Sequence, residues 1–330
     1  MNRTLCVSSL AMSAAMMLGG TAIAQTIKID GSSTVYPVTE AVAEEFQKSK
    51  KGTMKVTVGI SGTGGGFKKF CRGEIDIANA SRSIVKSEIA DCGKAGIKYF
   101  ELPVAFDALT VVINPKNTFI KSLSIAELKR MWEPSAQGKV STWDQVNPSF
   151  PKQPMKLFGA GADSGTFDYF TEAVVGKSKS SRGDYTASED DNVLVQGVQR
   201  DVAAIGYFGY AYYAENKDKL KAVPIVAKEG GAAVEPSEKS VLDGSYQPLS
   251  RPIFIYVQEA AYKRPEVREF VEYYLKNGAK LAKEVKYVPL PPLAYTTNME
   301  HLRNGRTGTV FGGVPEVGIT IEELMKREAK

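Results

Sequence analysis

The sequence predicts an α/β protein of two lobes joined by a two-strand hinge, each lobe a mixed, mainly parallel sheet flanked by helices. Three observations predict it. Strand, turn and helix patterns follow one another in series from Thr26 to Arg82, as in sheets whose crossovers are helical. Two apolar strands lie far apart, Ala108 to Ile113 and Pro252 to Val257. A chain of 330 residues is also too long for one ordinary core.

Residues 1–24 read as a secretory signal peptide. Arg3 supplies the positive start, a run of apolar and small residues extends from Leu5 to Leu18, and Ala22-Ile23-Ala24 fits a small-x-small cleavage pattern. Ser8, Ser9, Ser13, Gly19 and Gly20 interrupt the run, which falls short of the roughly 20 apolar residues of a membrane span. The mature chain, from Gln25, is expected to be exported and soluble. Thr26 to Ile29 then reads as a strand closed by Asp30-Gly31, and Pro37 suits the first turn of a helix over 37–48. Lys55 to Ile60 alternates as a strand, a Gly-rich turn opens a helix through Phe67 and Phe70, and Ile75 to Ala78 is another strand ending at Asn79-Ala80-Ser81-Arg82.

The two apolar strands are read as the crossings between lobes, which assigns 25–113 plus 252–330 to lobe one and 114–251 to lobe two. Two crossings make a hinge, and a hinge makes a cleft. Lobe two opens with a helix from Ser124, where Ser124 and Glu127 form a capping-box pattern. Trp132 and Trp143 are read as packing rather than ligand stacking. Leu157 to Ala162 ends a strand, a helix follows over 164–175, and 176–192, rich in Ser, Lys, Asp and Gly, reads as a polar loop.

Charge and composition exclude several function classes. Removing residues 1–24 takes one base and no acid, so 42 Lys+Arg against 37 Asp+Glu become 41 against 37. This mild, dispersed excess is not the basic stripe of a nucleic-acid binder. Cys71 and Cys92, the two cysteines beyond the leader, are expected to pair as a disulfide. His301 is the sole histidine, read as structural or exposed, which leaves little material for a Ser-His-Asp triad. No Cys/His metal cluster, Walker spacing or dinucleotide fingerprint is present, so no metal or cofactor is expected. Glu189-Asp190-Asp191 lacks EF-hand spacing and reads as a solvated loop or a local cap using Asp191 or Asn192.

Three stretches carry the binding chemistry: Gly31-Ser32-Ser33-Thr34, Ser61-Gly62-Thr63-Gly64-Gly65-Gly66 and Asp163-Ser164-Gly165-Thr166. Each stands at a predicted helix start, where backbone N–H groups, hydroxyls and the helix dipole suit a desolvated anion. Capping and tight-turn chemistry explains any one of them alone. The four glycines of the second would let the backbone approach something closely. Arg82 is either one half of a salt bridge or a forked donor to a doubly charged ligand. Asp163 is either an N-cap or an acceptor facing an anion that carries a proton, a role that would reject sulfate.

On these residues the mature chain resembles the periplasmic phosphate-binding proteins that feed phosphate ABC importers. The landmarks are Asp30 to Pro37, Gly62 to Phe67, Asp76 to Arg82, Asp163 to Phe167, Tyr185 to Asn192 and Gly206-Tyr207. The resemblance implies a type II periplasmic-binding-protein fold and a monomer that delivers phosphate to a membrane permease. It implies phosphate ligands at Ser33, Thr34, the Val35 amide, Ser61, Thr63, Gly64, Ser81, Arg82, Asp163, Ser164, Gly165 and Thr166, with Asp191 as a further candidate. The chain departs from the family where some members have an Asp in place of Arg82 and an Arg in place of Gly161. Asp163, then Glu189, Asp190 or Asp191, are the candidate readers of the phosphate proton. Competing readings are the same scaffold for sulfate, molybdate or an organic phosphate, and an exported phosphatase.

Overall fold

The structure is a computed structural model that describes residues 26–162, 164–188, 190–314 and 316–329. The expected leader, Asp163 and Glu189 lie outside the described residues. The first segment runs β1 (Thr26–Gly31), α1 (Tyr36–Ser49), β2 (Lys55–Val58), α2 (Gly62–Cys71), β3 (Ile77–Ala80), α3 (Lys86–Lys94) and β4 (Tyr99–Ile113). The middle holds β5 (Leu123–Ser124), α4 (Ile125–Trp132), α5 (Trp143–Val146), β6 (Lys156–Ala160), α6 (Gly165–Phe170), β7 (Thr186–Ser188), α7 (Asp191–Arg200), β8 (Ala204–Gly209), α8 (Tyr210–Glu215), β9 (Lys221–Ala222), β10 (Ile225–Val226), β11 (Ala233–Val234) and α9 (Glu238–Leu242). The chain returns through β12 (Ser250–Gln258), α10 (Glu259–Tyr262), α11 (Pro265–Glu284), β13 (Val288–Pro289), α12 (Pro292–Arg303) and α13 (Ile321–Glu328).

The principal sheet runs in the order β2-β1-β3-β12-β4-β8-β6-β7. β1 pairs in parallel with β2 and β3, and β6 pairs in parallel with β7 and β8, so each lobe has its own parallel trio. β4 joins them. Its residues through Ala108 pair antiparallel with β12, and from Leu109 it pairs antiparallel with β8. All fifteen residues of β4 are buried, as expected of a strand covered on both faces. The turns that follow β1 and β6 line a common cleft, beyond the carboxyl ends of strands, where ligands of α/β sheets bind.

Packing follows the local pattern. Val38, Val42 and Phe46 of α1 are fully buried, and Phe46 meets Phe270 of α11 edge to face. Trp132 packs among Phe170, Tyr185 and Tyr207, and Trp143 donates from Nε1 to the Ala203 carbonyl at 3.0 Å. Both tryptophans are core residues. The Cys71–Cys92 disulfide is present and ties α2 to α3.

Two sequence expectations are corrected. The helix after Ser164 does not run unbroken to 175. α6 ends at Phe170 and a wider π turn covers Thr171–Val175, where the Thr171 hydroxyl donates to the Phe167 carbonyl at 2.8 Å and competes with the regular backbone pattern. Residues 176–192 are not simply a loop: β7 joins the sheet and α7 starts at Asp191. Buried Arg182 anchors this stretch, donating to the Met131 and Val140 carbonyls and pairing with Asp184.

Candidate functional site

The three Gly/Ser/Thr stretches meet unequally. Ser33, Thr34, Ser164 and Thr166 line one cleft of about 630 Å³, with Asp107 and Asp191. The Gly165 amide donates to Ser33 Oγ at 3.0 Å, joining the first lobe to the second. Gly165 has to be glycine here, because a Cβ would fall 2.2 Å from Thr34 Oγ1. Ser164 caps α6 by accepting from the Thr166 amide at 3.1 Å. Val35 is fully buried, backbone as well as side chain, and does not line the cleft.

The α1 and α2 starts suit an anion for a reason the hydrogen bonds make plain. Neither helix has a side-chain cap or an acidic residue in its first turn, a condition that α8 and α12 also meet. Uncapped first-turn amides keep the partial positive charge of the helix end. At α2 the residue positioned to cap, Ser61, turns away. Its hydroxyl donates to Asp30, which also pairs with Lys69 at 2.7 Å, and its amide donates to the Gly31 carbonyl at 3.0 Å. Both donors of Ser61 are therefore committed inside the first lobe.

The glycines of this turn serve packing. A Cβ on Gly66 would sit 2.6 Å from Gly31 Cα, so what approaches closely is β1. Thr63 is tied to the end of β3, its Oγ1 accepting from the Ser81 amide at 3.1 Å and lying 3.1 Å from Ser81 Oγ. Gly64 lies against the Arg82 guanidinium, whose Nη2 would be 3.9 Å from an added Cβ.

Arg82 forms a two-pronged pair with Glu88, at 2.9 and 2.8 Å, and also donates to the Ser83 carbonyl at 3.1 Å. Burial opposes its charge, but Glu88 outweighs this and leaves the guanidinium above its ordinary pKa. Ser81 and Arg82 do not line the large cleft. With Tyr169, Glu172 and Arg251 they surround a pocket of about 20 Å³, room for about one water.

Arg251 and Asp107 were not identified from the sequence. They are cross-strand partners on β12 and β4, with side chains 5% and 6% exposed. Arg251 Nη2 lies 3.1 Å from Thr34 Oγ1, 3.0 Å from the Gly165 carbonyl and 3.4 Å from Asp107 Oδ2. Its guanidinium sits 4.2 Å from the Tyr169 ring centre, a cation–π distance. Burial pushes the Asp107 carboxyl above the usual carboxylate range, with Arg251 drawing it back. A signal was available: each residue immediately precedes one of the apolar crossing strands, at Ala108 and at Pro252.

The remaining candidates divide. Asp191 opens α7 and faces the cleft, while the cap of that helix is Asp190, which accepts from the Asn192 amide at 2.9 Å. His301 is buried rather than exposed, with Nε2 2.9 Å from the Glu328 carbonyl oxygen. Among the described residues, no group of three or more His, Cys, Asp or Glu could hold a metal ion, and no helix is long and apolar enough to cross a membrane.

The chain matches the family model described as the PBP superfamily domain over residues 19–277. The protein SphX of Synechococcus elongatus is 57% identical over 302 residues, covering 92% of this chain and 88% of SphX. The phosphate-binding protein PstS of Staphylococcus saprophyticus is 41% identical over 279 residues, covering 84% of each chain. A crystal structure from Planctomyces limnophilus, described as that of a possible phosphate binding protein, superposes with a TM-score of 0.74 at 51% identity, covering 86% of this chain and 99% of that one. With its two parallel trios and shared long strand, this chain belongs to the PBP superfamily and, within it, to the family of SphX and PstS.

Proposed function

We propose that this protein is an extracytoplasmic solute-binding protein that captures inorganic phosphate between its lobes and delivers it, without covalent chemistry, to an ABC importer. The observation that carries this reading is the meeting of Ser33 and Thr34 with Ser164, Gly165 and Thr166 at one cleft, in a chain 41% identical to a phosphate-binding protein PstS. Neutral dipoles and hydroxyls from both lobes can enclose a tetrahedral anion, and contacts made only when the lobes meet favour closure on the ligand. Ser33, Thr34 and Ser164–Thr166 are assigned as ligands, with the buried Val35 amide behind them. Thr63, Gly64, Ser81 and Arg82 form the adjoining wall, and Ser61 braces it through Asp30. Asp163, outside the described residues, and Asp191 remain assigned as candidate acceptors of the phosphate proton.

The lobes are assigned as 25–113 plus 252–330 and 114–251, a division supported by the change of partner along β4 at Ala108–Leu109. The protein is taken to act as a monomer after removal of a leader at 1–24, a sequence reading that suits export to the periplasm.

Isothermal titration of protein stripped of endogenous ligand tests the proposal. Phosphate is expected to bind at one site and to be displaced little by equal sulfate. Tight binding of sulfate or molybdate with none of phosphate would reassign the anion. Turnover of a chromogenic phosphate ester that Ser164→Ala abolishes would point instead to a phosphatase.

A further inference from the structure

We infer that Arg251, seated by Asp107, is a positioning residue that bolts the lobes together around the bound anion and governs how slowly it leaves. The inference rests on the anion-binding reading above. Three features of the geometry carry it. Arg251 and Asp107 face each other across β12 and β4, one residue from the point where β4 exchanges β12 for β8. The guanidinium is therefore rooted at the crossing between lobes. From there one nitrogen reaches both: Thr34 of the first lobe at 3.1 Å and the Gly165 carbonyl of the second at 3.0 Å, while the Tyr169 ring, one helical turn after Gly165, closes over the guanidinium at 4.2 Å.

The second feature is an excess of acceptors. Arg251 Nη2 carries two protons and has three acceptors within 3.4 Å, and Nε is buried with no partner. Such a group gains or loses good hydrogen bonds with small lobe movements. The third is placement. Thr34 and Gly165, the residues it joins, belong to the two turns assigned as ligands. Opening the lobes breaks the Thr34–Arg251–Gly165 bridge. Contacts present only in the closed state stabilise that state and slow release.

The test uses the full mature chain and two variants, Arg251→Lys and the double variant Asp107→Leu with Arg251→Met. Exchanging a buried ion pair for apolar side chains of similar volume commonly preserves folding, and a melting curve confirms it. Stopped-flow mixing reads phosphate association and release, and a donor–acceptor dye pair, one dye per lobe, reads the ligand-free lobe separation. The double variant is expected to release phosphate about tenfold faster with association changed less than about threefold, and its ligand-free lobes to stand further apart. Arg251→Lys, which keeps the charge but loses the planar fork, is expected to fall between. Wild-type release from the folded double variant overturns the inference, as does a loss confined to association. If the unaltered protein binds no phosphate, the proposed function fails on that result. The lobe separation then decides the bolt alone, a wider gap supporting it and an unchanged gap overturning it.

Discussion

The arginines of two arginine–carboxylate pairs line the same small pocket, and the pairs are built on opposite principles. Arg82 and Glu88 are six residues apart, meet fork to fork at 2.8 and 2.9 Å, and remain 28% and 14% exposed. Glu88 also accepts from the Val85 amide at 3.0 Å, closing the start of α3. Arg251 and Asp107 are 144 residues apart, meet through one 3.4 Å contact, and are almost fully buried. The local pair is a finished structural unit within one lobe. The distant pair is under-satisfied and shares its donor with both lobes. A good ion pair close in sequence therefore signals local architecture, and a poor one deep at a crossing signals a part that responds to movement.

The largest effect should come from splitting the buried pair. Arg251→Ala leaves Asp107 uncompensated in the interior and is expected to cost about 3–5 kcal/mol in urea denaturation. Arg82→Ala, at a partly exposed pair, is expected to cost about 1 kcal/mol. Equal losses would erase the distinction. Next comes the disulfide that pins α3, the helix carrying Glu88. Replacing Cys71 and Cys92 by serine is expected to cost about 3 kcal/mol, since the bond closes a loop spanning 21 residues. Amide exchange should rise in α3 and stay unchanged along β4 and β12. A matching rise at Asp107 or Arg251 would mean the two pairs are coupled.

A third probe acts on the joint itself. Gly165→Ala places a Cβ against Thr34 Oγ1 and is expected to weaken phosphate binding about tenfold, or about 1.4 kcal/mol, with little change in melting temperature. Undiminished affinity in calorimetry would show that the two turns need not touch.

The smallest effect adds a pH axis, using a buried carboxyl far from the cleft. Burial, with Glu101 nearby, lifts Glu328 to about 8 from an ordinary 4.5, against the pull of Arg306. His301, 3.4 Å away, is lowered from 6.5 by burial and by Arg306. A raised carboxyl stabilises the fold when protonated, fully below about pH 4.5, and that contribution is lost as pH rises through about 8. The lowered histidine acts in the other sense, its contribution present above pH 6.5 and lost as pH falls. Between pH 6.5 and 8.5 the histidine no longer contributes to the pH dependence, so the melting temperature is expected to fall across that range and Glu328→Gln to flatten the decline. A slope unchanged by Glu328→Gln would assign the titration elsewhere, Asp107 first.

Much of this was legible because it is local. The capping box predicted at Ser124 and Glu127 is formed, with the Glu127 amide donating to Ser124 Oγ at 3.1 Å and the Glu127 carboxylate accepting from the Ser124 amide at 2.7 Å. The helix after the first Gly/Ser/Thr stretch forms where periodicity placed it, one residue early at Tyr36, whereas the second stretch, read as a turn before a helix, is itself helical from Gly62. Composition misled where an anchor is distant. Residues 176–192 look like a solvated loop until Arg182 is seen reaching carbonyls 42 and 51 residues away. Ser61 looked like a ligand donor because its hydroxyl stands at a helix start, yet Asp30, 31 residues earlier, engages it.

By itself the sequence determined the alternation of strands and helices, the turns suited to an anion and the candidate disulfide, because backbone propensity, capping and loop closure act over short stretches of chain. Only the tertiary structure decided which of those turns share a cleft and that Arg251 joins Thr34 to Gly165. Those outcomes depend on the pairing of strands more than a hundred residues apart, and no residue pattern along the chain records which buried charge will face which.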